Sequence, residues 1–198
     1  MLDKLHENLI LNRRVLALSQ HFVALLPQNC TVLDIGCGDG KIAKTLIKAR
    51  PDIKLTGIDT LVRKMPEINT IQYDGKIIPF DENSFDFTML VDVIHHAEDP
   101  FMLIKEAARV SKKGVLIKDH LREGIFANAT LAAMDWVGNA RHGVALPYTY
   151  WNQSEWNLAF AKLKLKNATE IKKIGLYPFY LKPLFERNLH FISLLEKQ

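Results

Sequence analysis

The residues best placed to do chemistry begin with three glycines at alternate positions, Gly36, Gly38 and Gly40, in the segment VLDIGCGDG. An apolar run precedes them and a helical pattern follows at once. Glycine tolerates positive φ and presents its amide without a Cβ in the way, so such a turn lets backbone N–H groups approach a ligand closely. In a parallel α/β sheet the turn falls at the carboxyl end of a strand, where nucleotides bind. The plain alternative is a bland glycine turn. The functional rival is a nicotinamide or flavin dinucleotide loop, whose fingerprint has a third glycine three positions after the second, where this chain has Lys41. Asp34, inside the strand ahead of the glycines, also fits that rival poorly.

A second set can move protons. His95 and His96 follow the run FDFTMLVDVI, Asp119 and His120 follow VLIK, and His142 lies in an aromatic segment. Imidazole changes charge near neutrality, so His96, His120 or His142 can take a proton from a hydroxyl or phenol. A packing role is the plain alternative, above all for His95. The same atoms allow a metal site of His96, Asp119, His120 and His142. No tight ligand spacing supports it, and the expectation is no resident metal. The segment MDWVGNARHGVALPYTYW contributes Trp136, Tyr148 and Tyr150 as flat, amphipathic surface for a substrate wall. Otherwise these rings complete the core under a long loop. Arg13 and Arg14 either line the same mouth or are ordinary surface charges.

The motif DIGCGDG resembles the first motif of the class I S-adenosylmethionine-dependent methyltransferases, of the type acting on small molecules, and the similarity runs over most of the chain. The resemblance implies that the loop from Gly36 through Cys37 and Gly38 to Gly40 wraps the methionine part of S-adenosyl-L-methionine, oriented by Asp34. It implies that Asp59, in Gly57-Ile58-Asp59, accepts from both ribose hydroxyls. Asp74, in Tyr73-Asp74-Gly75, would accept from the adenine amine beside Gly75 and Lys76. FDFTMLVDVIHH resembles the fourth-strand motif, which sets Asp92 and Val93 beneath the transferred methyl group and gives His95 a packing role on the cofactor side. Taken singly, an acid at a strand end is often a helix cap or a turn residue; joint order carries the argument.

The elements that must position these residues follow from periodicity. Val15, Leu18, Phe22 and Leu25 recur at helical spacing up to Pro27. Thr31 onward reads as a strand, and Ile42, Ala43, Leu46 and Ile47 mark a helix closed by Pro51. Ile53 to Ile58, Ile71 to Tyr73, Phe85 to Val91 and Val115 to Ile117 read as strands. Asp99 and Pro100 signpost a helix as N-cap and first helical residue. Repeated strand–helix units imply an α/β fold with a parallel sheet covered on both faces. Beyond His120 the rhythm changes. A helix is expected within 121–151, and then two antiparallel tail strands, Thr169 to Leu176 and Leu189 to Leu195, joined by a loop without a clear helix. The resemblance gives the same architecture a name: a Rossmann-like, doubly wound seven-stranded sheet whose last strand is antiparallel. One domain over 1–198 is expected, with 1–29 as a helical lid and 121–165 as a substrate-side insertion.

Composition narrows the partners. The 198 residues are 48% hydrophobic and 24% charged, with a net charge of +4 spread along the chain instead of gathered in a block. No run reaches the roughly 18–20 apolar residues of a membrane span, and the charged start MLDKLHENLI does not read as a signal peptide. Cys30 and Cys37 make neither a disulfide framework nor a zinc set, which suits a reducing cytoplasm. No Asn/Asp-Pro-Pro-Tyr/Phe signature and no RNA-binding module are visible, so nucleic acid is disfavoured as the acceptor. The expected activity is methyl transfer to a small hydrophobic or aromatic molecule. The alternatives are a cofactor-binding subunit without catalysis and a NAD-dependent oxidoreductase.

Overall fold

The computed structural model describes the backbone of residues 2–139 and 146–198, and side chains over 11–138 and from 146 onward. Seven strands form one sheet in the order β3-β2-β1-β4-β5-β7-β6. They are β1 (Thr31–Ile35), β2 (Lys54–Asp59), β3 (Thr70–Gln72), β4 (Phe85–Val91), β5 (Ser111–His120), β6 (Leu165–Ile171) and β7 (His190–Lys197). The first five run parallel, and β7 is antiparallel to both β5 and β6. This is the doubly wound sheet expected from the strand–helix alternation, with its break in direction in the tail.

Because successive side chains of a strand point to opposite faces, each buried strand feeds two cores. Leu33 and Ile35 of β1, with Val115 and Ile117 of β5, pack against Ile104 and Ala107 of α3 (Pro100–Val110) and Trp156 and Phe160 of α5 (Gln153–Lys162). The opposite set, Val32, Phe87, Met89 and Leu116, meets Leu18 and Phe22 of α1 (Leu2–Leu25) and Leu46 of α2 (Lys41–Ala49). α3 begins as its sequence signals: Asp99 accepts from the Met102 amide at 3.0 Å, and Pro100 stands at the first helical position.

The second half differs from expectation in three places. α5 was not foreseen, although Asn152 and Glu155 form a reciprocal capping box in front of it. β6 covers Leu165–Ile171, so the apolar stretch Ile174 to Leu176 is not strand. That segment bends away at Gly175 (φ 81°) and buries Ile174 and Leu176 in the core on the α1 side. A one-turn helix, α6 (Lys182–Phe185), interrupts the connection to β7 where no helix was expected. The helix expected in the 121–151 region is α4 (Ala127–Asn139). Among the described residues, no helix is long and apolar enough to cross a membrane.

Candidate functional site

At the carboxyl end of β1 the glycine turn is tied to its neighbours by backbone. The amides of Gly36 and Cys37 both donate to the Ile58 carbonyl, at 2.8 and 3.1 Å. Gly36 has φ 72°, and a Cβ there would meet Val93 Cγ2 at 2.3 Å, so the turn rests directly on the residue pair after β4. Gly38, φ 59°, has open space where its Cβ would be. Its amide donates to Asp59 Oδ2 at 2.7 Å, while the Leu61 amide donates to Asp59 Oδ1 at 2.8 Å. Parallel register sets Asp34 opposite Gly57, with 3% of its surface exposed. Burial, reinforced by the Asp59 carboxylate, pushes the Asp34 carboxyl up to about 7. Burial and then Asp34 push the Cys37 thiol up to about 12. Beyond β3, Asp74 is exposed; its Oδ1 accepts from the amides of Lys76 and Ile77, which hold the carboxyl below its usual range. Gly75 lies against Thr60, beside Asp59.

Next to the turn lies a buried polar network at the ends of β4, β5 and the start of β7. Asp92, φ 53°, sits between Arg14 of α1 and the Lys118 ammonium, which is 1% exposed. Burial works against that carboxylate, but Lys118 and Arg14 hold its pKa well below the ordinary value. Lys118 also faces His190 Nδ1 at 3.4 Å, and His190 Nδ1 lies 3.2 Å from His120 Nδ1. His95 Nδ1 is 2.6 Å from Asp119 Oδ1, and the other Asp119 oxygen accepts from the Ile94 amide. On the far side of the His95 ring, Nε2 stands 3.4 Å from Asp135 Oδ1. His120 Nε2 is 3.5 Å from the same oxygen, and the Tyr150 hydroxyl donates to Asp135 Oδ2. Burial opposes charge on both rings, with different outcomes. Asp119 and Asp135 raise His95 to about 10, whereas His120 stays below its ordinary value, burial outweighing Asp135.

The expected residues are partly gathered. The turn from Gly36 to Gly40, Asp34, Asp59, Asp92 and Val93 share one edge of the sheet, and His120 and Tyr150 join the buried network behind it. Trp136 is not brought in: it is 62% exposed, because consecutive helical residues face about 100° apart and Asp135 takes the inward side of α4. Tyr148 is also exposed, and His142 lies outside the described residues. Of the four-residue metal set drawn from the sequence, His142 lies outside the described residues and Asp119 faces no common centre with His96 and His120. Asp119 is turned toward His95 and the amides of Ile94 and His120. Three members of the network, Lys118, Asp135 and His190, are not singled out by the sequence, and Arg14 is left there between a mouth-lining and a surface role. Lys118 alone carried a signal, since a lysine inside the buried run VLIKDH requires a partner.

A family model described as "Methyltransferase domain" matches residues 33–117. Among curated relatives, the chain is 28% identical over 123 residues to the 27-O-demethylrifamycin SV methyltransferase of Amycolatopsis mediterranei, covering 54% of this chain and 45% of that protein. It is 30% identical over 138 residues to the 2-methyl-6-phytyl-1,4-hydroquinone methyltransferase of Synechocystis, covering 65% and 38%. It is 29% identical over 102 residues to a tRNA (carboxymethyluridine(34)-5-O)-methyltransferase of Schizosaccharomyces pombe, covering 48% and 43%. The chain thus spans less than half the length of these relatives. Solved structures share its fold: the Haloferax volcanii methyltransferase solved in complex with the Trm112 activator has TM-score 0.68 at 18% identity, covering 93% of this chain and 91% of that one. The geranyl diphosphate C-methyltransferase of Streptomyces coelicolor, solved with S-adenosyl-L-homocysteine, has TM-score 0.68 at 13% identity, covering 92% and 76%.

The strand order and directions match the Rossmann-like methyltransferase fold of these solved structures. Residues 33–117 match a methyltransferase-domain model, and one structure sharing the fold was solved with S-adenosyl-L-homocysteine, the demethylated form of S-adenosyl-L-methionine. The residues at the sheet edge fit that molecule. Gly38 offers an amide-bearing turn whose outer face is open, and Asp34 is a buried carboxyl suited to a cationic neighbour.

Proposed function

We propose that this chain transfers a methyl group from S-adenosyl-L-methionine to a small organic acceptor of hydrophobic or aromatic character. The observation that carries the reading is the adjacency of the glycine turn and the buried network. Gly36 packs on Val93, and Asp92 beside it is bonded to Lys118, two residues before His120. In this reading the Gly36–Gly40 turn, with Cys37, wraps the methionine moiety and Asp34 orients it. Each Asp59 oxygen already accepts one amide and retains capacity for a ribose hydroxyl. Asp74 and Gly75 take the adenine amine, and Asp92 and Val93 lie beneath the reacting carbon.

The bound cofactor supplies an electrophilic methyl carbon and its own sulfur leaving group. What remains for the protein is alignment and exclusion of water. A base is needed where the acceptor must lose a proton, and we assign that task to His96 or His120, with His142 as a third candidate. The 121–165 segment then forms the acceptor wall through Asp135 and Tyr150, with Tyr148 and Trp136 toward its rim. α1 acts as a lid, latched by Arg14 on Asp92. The two unpaired cysteines suit work in the cytoplasm.

A second reading, an RNA acceptor, draws on the likeness to the S. pombe tRNA methyltransferase. The deciding experiment is calorimetric titration with S-adenosylhomocysteine, with NAD as control, followed by transfer of labelled methyl to a panel of phenols and quinols and to bulk tRNA. Binding of S-adenosylhomocysteine with label in the small-molecule panel is the expected result. Label in tRNA alone would move the reading to RNA. Binding with no product in either would favour a non-catalytic subunit, and binding of NAD instead would overturn the reading.

A further inference from the structure

We infer that His95, His96 and Asp135 form a binding site for one divalent transition-metal ion of the zinc type, with His120 on its flank. The site is made by the ends of two elements distant in sequence, the 3₁₀ turn Ile94–His96 after β4 and the inward face of α4. One ligand atom from each of the three residues lies within 4.8 Å of the other two.

The geometry around His95 suits a cation. Its Nδ1 is engaged by Asp119 Oδ1 at 2.6 Å, which directs Nε2 toward Asp135. His95 is 2% exposed, yet among the described residues Nε2 makes no well-formed hydrogen bond. In the metal-free chain the two acids favour a proton on Nε2, and a bound cation would replace that proton between the ring and the Asp135 carboxylate. A proton between them would draw the pair to about 2.7–2.9 Å, the length of a charge-assisted bond. The observed separation is 3.4 Å, and His120 Nε2 stands 3.5 Å from the same oxygen. Ligands at about 2.0–2.1 Å from a tetrahedral zinc stand roughly 3.3–3.4 Å from one another. Both spacings are longer than a charge-assisted hydrogen bond, and the His95–Asp135 spacing matches one edge of a coordination tetrahedron.

The surroundings support the same assignment. Metal-bound histidines commonly donate their other ring N–H to a carboxylate, and ligating carboxylates are themselves hydrogen-bonded. Here Asp119 serves His95, and the Tyr150 hydroxyl serves Asp135. Two imidazoles and one carboxylate select a zinc-like ion over magnesium or calcium, which prefer oxygen alone. Three protein ligands leave a position for water or an oxygen of an incoming molecule, and His96 is the half-buried member on the accessible side. Any use of that position on the methyl acceptor rests on the methyl-transfer reading; metal binding itself does not, and with the metal bound His96 is a ligand and the base role falls to His120.

The test uses the full chain freed of metal by chelator dialysis. Zn²⁺ is titrated in competition with a chromophoric chelator, and Co²⁺ is added separately to read its visible absorption. One equivalent of Zn²⁺ and a tetrahedral Co²⁺ spectrum are expected. Asp119→Asn should weaken Zn²⁺ binding by about 10–100-fold, and Asp135→Asn and His96→Gln by about 100-fold or more. Absence of stoichiometric binding to the unaltered chain would overturn the proposal, as would unchanged affinity in His96→Gln, the half-buried position where folding is least at risk. S-adenosylhomocysteine calorimetry on the same preparation separates this outcome from failure of the methyltransferase reading.

Discussion

Gly36 and Val93 are in such close register that a Cβ on the glycine would lie 2.3 Å from Val93 Cγ2. The end of β1 and the end of β4 are therefore in contact through a residue that must have no side chain, and the position also needs φ 72°. Gly36→Ala is expected to cost about 1–3 kcal/mol of stability through overpacking and backbone strain. It should also weaken S-adenosylhomocysteine binding as Val93 is displaced. Denaturant titration and calorimetry on the same protein check both parts, and unchanged values in either would show that the contact is not limiting.

Asp59 anchors the turn from the other side, accepting from Gly38 and Leu61. Asp59→Ala should weaken cofactor binding by about 1–3 kcal/mol, the scale of charge-assisted hydrogen bonds left unmade. Asp59→Asn, which keeps one acceptor, should fall between. Equal affinity in all three proteins, measured by calorimetry, would remove Asp59 from the site.

Asp34 gives a pH dependence with a definite sign. Its carboxyl titrates near 7 in the folded chain and near 3.8 when unfolded. Between those values the native state holds a proton that the unfolded state has lost, so this group makes stability fall as pH rises from about 4 to about 7. The slope approaches ~1.4 kcal/mol per pH unit at most. Asp34→Asn should flatten that part of the stability curve. Affinity for a sulfonium or ammonium ligand should rise through pH 7 in the native sequence and lose that rise in the variant. Parallel curves for the two proteins would contradict the shift.

Lys118 is the buried half of a pair with Asp92. Lys118→Met should destabilise by about 1–3 kcal/mol, because it leaves the largely buried Asp92 carboxylate with one of its two cations, Arg14. Pairing it with Asp92→Asn should restore part of the loss, since the under-compensated charge goes with it. Additive effects in the double variant would mean that the two groups do not couple.

Legibility in the sequence tracks burial. β4 appears over Phe85–Val91 as expected because it is a continuous apolar run, and α3 starts at Asp99-Pro100 because its cap is chemical. β6 was shifted because it lies at the sheet's edge with an exposed middle, Lys166 to Glu170, while Ile174 and Leu176 look like strand but fill the core from a loop. The glycine turn was readable for the same local reason as α3. The buried network was not, since Asp135 lies between Met134 and Trp136 at no diagnostic spacing and meets His95 only through the fold.

The position of β7 between β5 and β6 reverses the order of synthesis. β6 leaves the ribosome first, yet its neighbour in the sheet is β7. Leu165–Ile171 must therefore wait, with its backbone unpaired, until His190–Lys197 has crossed back along β5. That late, long-range closure belongs to the slow class of folding events. While it is pending, the outer edge of β5 is open to pairing with another chain. Nascent protein, more than the finished domain, is where crowding and chaperones should matter.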